Sequence, residues 1–147
     1  MAGPTIEHVY RYSAPSTLER DEQGARLALA TSGIGLQPDL FFRGCLVKPR
    51  LTADLLLALV RVVQSRYHMP ANMLARLLAL ADPVVTCGDD RIRFEAFSAC
   101  CGVYGRVDLL PEAVDGSLLG TGTTNVDFNP PMRAALVSDV LDKVCCQ

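Results

Sequence analysis

The chain has 147 residues, half of them hydrophobic and 20% charged, with a formal net charge of −2. A chain of that length folds as one ordinary domain and buries about 70% of its unfolded surface without needing a metal or a disulfide. The composition excludes a disordered chain, and the charge gives no global attraction to nucleic acid or anionic lipid.

No apolar run reaches the ~18–20 residues that span a bilayer. The longest, residues 51–63, is broken by Asp54 and Arg61. The opening MAGPTIEHVYRYS lacks the basic start and apolar stretch of a signal peptide. The expectation from these features is a cytosolic chain with no membrane partner, its six cysteines mostly reduced.

In chain order, TIEHVYRYS (5–13) alternates, with Ile6, His8, Tyr10 and Tyr12 on one side, and predicts a strand. The polar APSTLERDEQG (14–24) reads as a loop, and ARLALATSG (25–33) as a second short strand. Turn chemistry at 33–39 leads to the apolar strand LFFRGCLV (40–47). Residues 49–67 carry Leu55, Leu56, Leu59, Val60, Val62 and Val63 at helical spacing. Thr52 is the expected N-cap, with Asp54 in the first turn and Arg61 and Arg66 near the end. MPANMLARLLALADP (69–83) predicts a second short helix ending before Pro83.

The period then changes. PVVTCGDDRIRFEAF predicts strand, turn and strand, with Ile92, Phe94 and Ala96 opposite Arg93, Glu95 and Phe97. Residues 102–110 set Val103, Val107 and Leu109 against Tyr104, Arg106 and Asp108. Two such neighbours make a half-solvated antiparallel pair, with opposite charges positioned to meet across the strands. Residues 111–125 read as a glycine-rich connection with one irregular strand, followed by a short strand at VDF (126–128). Asn129 and Pro130 then start a helix with Met132, Leu136, Val137, Val140, Leu141 and Val144 along one stripe, and the final VCCQ is expected to fray.

The whole predicts one α+β domain over 1–147, with an N-terminal strand and loop at 1–24 and the main body at 25–144. In it, two main helices pack on one face of an antiparallel sheet.

The sharpest local feature is Cys100-Cys101, between two predicted strands. A nucleophilic cysteine needs a helix N-terminus, a histidine or a basic neighbour to lower its pKa. The candidates for such a thiol site are Cys100, Cys101 and His68, against a plain reading in which the thiols fill a tight corner. A structural zinc site uses ligand pairs two to four residues apart, and Cys45, Cys87, Cys100, Cys101, Cys145 and Cys146 show no such spacing. Cys87 with Cys100 or Cys101, meeting across the hairpin, is the metal candidate. GSLLGTGTTN has the glycines of a phosphate loop but no following helix and no lysine, so no cofactor is expected.

Residues 82–136, with LATSG (29–33) and FFRGCL (41–46), resemble the N-terminal region of bacterial proteins of the SWIM zinc finger family. The family's C-x-C and C-x-H zinc signature is absent from this chain, so the resemblance implies no metal site here. The order strand (40–47), helix (52–66), three antiparallel strands (83–110), short strand and helix (126–142) is also similar to half a repeat of a DNA sliding clamp. A clamp lines its DNA-facing helices with basic residues. Here the two helices hold Arg61, Arg66, Arg133 and Lys143 against Asp54, Asp139 and Asp142, so charge does not support nucleic-acid binding.

The expectation is a non-catalytic interaction or scaffold module that binds a protein partner or itself. A thiol-based enzyme or redox sensor using Cys100 or Cys101, and a clamp-like nucleic-acid-binding module, are the alternatives.

Overall fold

The computed structural model describes residues 14–21, 24–30, 41–65, 82–88, 90–98, 100, 102–137 and 144–146. The elements in chain order are β1 (Thr17–Asp21), β2 (Gly24–Ala28), β3 (Phe42–Leu46), α1 (Pro49–Gln64), β4 (Val84–Cys87), β5 (Ile92–Phe97), β6 (Tyr104–Leu109), a 3-10 turn (Pro111–Ala113), β7 (Val114–Leu118), β8 (Gly122–Asn125), α2 (Pro130–Val137) and β9 (Val144–Cys146). The class is α+β, with the strands divided between two sheets of order β1-β2-β9-β3-β7 and β6-β5-β4-β8. Every pairing is antiparallel except β2 with β9. The expected strand at 5–13 and the expected helix at 69–83 lie outside the described residues, apart from Asp82 and Pro83. Among the described residues, no helix is long and apolar enough to cross a membrane.

The twofold alternation at 83–110 becomes the meander β4-β5-β6. Ile92, Phe94 and Ala96 are buried, while Phe97 on the opposite face is exposed. Side chains alternate at every residue of a strand, so one register buries all three apolar residues together. Helix α1 packs against β5 and β6 with Ala53, Leu56, Leu59, Val60 and Val63 buried at helical spacing. Gly105 lets the helix close in: a Cβ there would lie 2.9 Å from Leu59 Cδ2 and 3.1 Å from Val62 Cγ2. Helix α2 packs on α1 and β1 and buries Met132 and Leu136. Leu27 and Leu46 of one sheet and Val85 and Phe94 of the other share one buried cluster with Leu56, Val126 and Met132.

The start of α1 differs from expectation. The helix begins at Pro49, with Lys48 at the N-cap and no side-chain cap. Proline's fixed φ and missing N–H suit the first helical position, so the helix starts a turn before Thr52. Thr52 is buried, and its hydroxyl donates to the Lys48 carbonyl at 3.1 Å. Asp54 lies beyond the first turn and pairs with Arg50 at 3.2 Å. At the other end, the Ser65 hydroxyl donates to the Val62 carbonyl at 2.7 Å. The start of α2 agrees with the sequence: Asn129 Oδ1 accepts from the Met132 N–H at 2.8 Å.

Three further segments depart from expectation. The polar stretch at 14–24 contains β1, paired along its length with β2. β1 lies at a sheet edge and exposes Glu19, a setting in which no apolar run is needed. The connection at 111–125 contains two strands, β7 and β8, one in each sheet. Its glycines hide the pattern but serve the pairing. Gly116 faces Gly44 in register, and a Cβ on Gly44 would sit 2.5 Å from the Asp115 carbonyl oxygen and 2.6 Å from Gly116 Cα. Within VDF, Val126 makes an isolated bridge, its N–H donating to the Pro83 carbonyl at 3.0 Å, and residues 127–129 are not strand.

The C-terminal helix stripe also shortens. Val137 is 59% exposed, Val140 and Leu141 lie outside the described residues, and Val144 belongs to β9. The segment expected to fray is a strand seated between β2 and β3. Cys145 there is opposite Cys45 of β3, and the two form a disulfide across 100 residues of sequence. The expectation of mostly reduced cysteines is thus corrected for this pair, because a strand register brings together thiols that spacing alone does not relate.

Candidate functional site

The bend after β5 is organised by a serine. Ser98 is buried, and its backbone N–H donates to the Val103 carbonyl at 2.9 Å. Its hydroxyl accepts from the Val103 N–H at 2.9 Å and lies 3.5 Å from Cys100 Sγ. These two hydrogen bonds between 98 and 103 close the β5–β6 turn, a role for Ser98 that the sequence reading missed. A serine six residues before a strand start, across a small-residue bend, is the signal that could have suggested it. Cys100 is half-buried; Cys101 and His68 lie outside the described residues.

Cys87 stands elsewhere. It is buried at the end of β4, and its thiol donates to the Phe41 carbonyl at 3.6 Å. Its register partner is Ile92, at the start of β5, whereas Cys100 follows the end of β5 at Phe97. Five strand steps of about 3.3 Å put roughly 17 Å between those two ends. Cys87 and Cys100 therefore do not converge, and among the described residues no group of three or more histidine, cysteine, aspartate and glutamate side chains is placed to hold a metal ion. Burial pushes the Cys87 thiol above its usual range. We expect iodoacetamide to alkylate Cys87 of the folded chain at least about tenfold more slowly than in denaturant, since the thiolate is the reactive form. Peptide mass spectrometry checks this, and rapid labelling of the folded protein would refute it.

The outer face of the four-stranded sheet carries the densest polar network. Register aligns Thr123, Thr86, Arg93 and Asp108 in one row, and Asn125, Val84, Glu95 and Arg106 in the next. The Thr86 and Thr123 hydroxyls are 3.0 Å apart. Asp108, whose side chain is 15% exposed, receives Arg93 at 2.9 Å, Arg106 at 3.1 Å and Arg91 at 3.6 Å. Arg91 also forms an ion pair with Asp90. Charge pairing across β5 and β6 is thus present, as the sequence predicts. Glu95, though opposite Arg106, accepts the Tyr104 hydroxyl at 2.6 Å. That bond makes the phenol hold its proton above the usual tyrosine range.

The Arg93 hydrogen bond, aided by the charges of Arg106 and Arg91, holds the Asp108 carboxyl below the usual carboxylate range. A depressed folded value means that the unfolded chain takes up its proton first as pH falls. The stabilisation is complete above the unfolded value of about 3.9 and is lost as pH drops through the folded one. Asp108→Asn should therefore flatten the fall of the urea midpoint below about pH 4. Parallel curves for variant and wild type would show that Asp108 makes no such contribution.

The same face ends in an aromatic pair. The rings of Phe97 and Tyr104 lie 5.1 Å apart at an interplanar angle of 41°. Phe97 is 54% exposed and Tyr104 50%.

No family model, curated protein or solved structure matches this chain. Its own geometry supplies two features of note: the aromatic-ended charged face and the Cys45–Cys145 bond.

Proposed function

We propose that the chain is a non-catalytic interaction module of the cytosol that presents the outer face of its four-stranded sheet to a protein partner. The exposed Phe97–Tyr104 pair carries this reading. Aromatic side chains and arginine are enriched where proteins meet, because they bury much area at little cost in lost rotamers. The next row on this face holds Glu95 and Arg106, and the row beyond it Arg93 and Asp108, so the opposite charges offset one another. The result is an apolar patch with a polar, nearly neutral rim. The resemblance of residues 82–136 to the N-terminal region of SWIM zinc finger family proteins fits an accessory module of this kind.

The alternatives have less to draw on. The Ser98 hydroxyl beside Cys100 is neutral and supplies no charge to lower a thiol pKa. For a clamp-like nucleic-acid surface, the basic residues of the described helices are Arg50, Arg61 and Arg133, and Arg50 is paired with Asp54.

Photo-crosslinking in cells expressing the chain tests the proposal. A benzophenone residue replacing Phe97 should give one discrete crosslinked protein, and Tyr104→Ala should weaken it. A benzophenone at Glu112, which is exposed in the 3-10 turn, should not give that product. Equal crosslinking from both positions, or none from position 97, would overturn the reading.

A further inference from the structure

We propose that the Cys45–Cys145 disulfide is a redox latch that holds the C-terminal strand in the five-stranded sheet and, through it, the β1–β2 hairpin. In the sheet order, β9 is the strand between β2 and β3, so among the described residues the hairpin reaches β3 through β9 alone within that sheet. The inserted strand is three residues long, Val144–Cys146. It pairs in parallel with Ala25, Arg26 and Leu27 and antiparallel with Gly44, Cys45 and Leu46. So short a segment makes few ladder bonds, and the bond to Cys45 ties it down across 100 residues of sequence. Cys45 and Cys145 are half-buried rather than buried, and the latch requires that a reductant reach their sulfurs. The inference is independent of the aromatic-ended face on the other sheet.

The switching step is thiol–disulfide exchange with a dithiol. One thiolate of the dithiol attacks a sulfur of the pair, breaking the Cys45–Cys145 bond and forming a mixed disulfide. The second thiolate of the dithiol resolves it. Two electrons pass to Cys45 and Cys145, each takes up a proton, and the dithiol leaves as its own disulfide. Freed of the bond, β9 leaves the sheet, and β2 and β3 each lose a neighbour. The β4-β5-β6 meander, packed under α1, has no pairing with β9 and keeps its structure.

Hydrogen exchange read by mass spectrometry on the full chain, with and without dithiothreitol, tests this. On reduction, peptides covering β2, β3 and β9 should exchange at least about tenfold faster, while β4, β5 and β6 stay protected at the same labelling time. Reoxidation should restore the first pattern, and thiol counting should show two new thiols in the reduced sample. The Cys45→Ala, Cys145→Ala double variant should match the reduced pattern without dithiothreitol. Unchanged exchange on reduction, or no gain of thiols, would overturn the latch. So would loss of protection throughout the chain or a double variant that does not fold, since either makes the bond a staple of the whole fold.

Discussion

Leu56→Ala is expected to lower the unfolding free energy by about 3–5 kcal/mol, among the largest effects of any single side-chain truncation in this chain. Leu56 is 1% exposed, at the centre of the α1 face that covers the β5–β6 pair. Truncation removes its transfer free energy and leaves a cavity. Collapse into that cavity is opposed by the paired strands on one side and the helix backbone on the other. Leu55, the preceding residue, is 39% exposed and serves as the control. Leu55→Ala should cost under about 1 kcal/mol, because surface positions lose little contact. Urea unfolding followed by circular dichroism measures both, and similar losses at 55 and 56 would mean that the helix is not buried on the face described here.

The second large effect comes from removing the Cys45–Cys145 bond. In the chain-entropy account, a cross-link closing a loop of 100 residues restricts the unfolded ensemble strongly. Its loss is expected to lower the unfolding free energy by about 2–5 kcal/mol. Cys45→Ala with Cys145→Ala, studied under non-reducing conditions, should unfold at a lower urea concentration than oxidised wild type. Wild type in dithiothreitol should move toward the variant. The comparison separates the bond from the side chains, since dithiothreitol changes the first and leaves the second nearly intact. Coincident curves for oxidised wild type and the double variant would show that the bond adds nothing to stability.

These two positions also mark how far the sequence can be read. Leu56 was legible because its neighbours at helical spacing are also apolar, and a helix turns its stripe toward whatever apolar face is near. The meander was legible for the same reason at a period of two, including opposite charges placed to meet across its strands, and the structure selects Arg93 with Asp108. The Asn129 cap was legible because the cap and its target lie three residues apart. Thr52 misled because it has the chemistry of a cap, while the proline three residues earlier already starts the helix. Strands β1 and β7 were missed or blurred, because edge positions and facing glycines carry no alternating apolar signal. Of the candidate site, the charged face and its closing aromatics were present in the pattern of 92–110. Ser98 was passed over beside the more conspicuous cysteines.

By itself, the sequence determined the α+β class, the α1 helix, the start of α2, and the buried and exposed faces of the central meander. Each of these is written in residues within a few positions of one another, where backbone geometry alone decides which side chains share a face. Only the tertiary structure decided that the strands form two sheets and that β9 enters between β2 and β3. It alone paired Cys45 with Cys145 and parted Cys87 from Cys100. Those outcomes join segments far apart in the chain, and they follow from which register lets both helices and both sheets bury their apolar faces in one core, a condition on the whole fold that no short stretch contains.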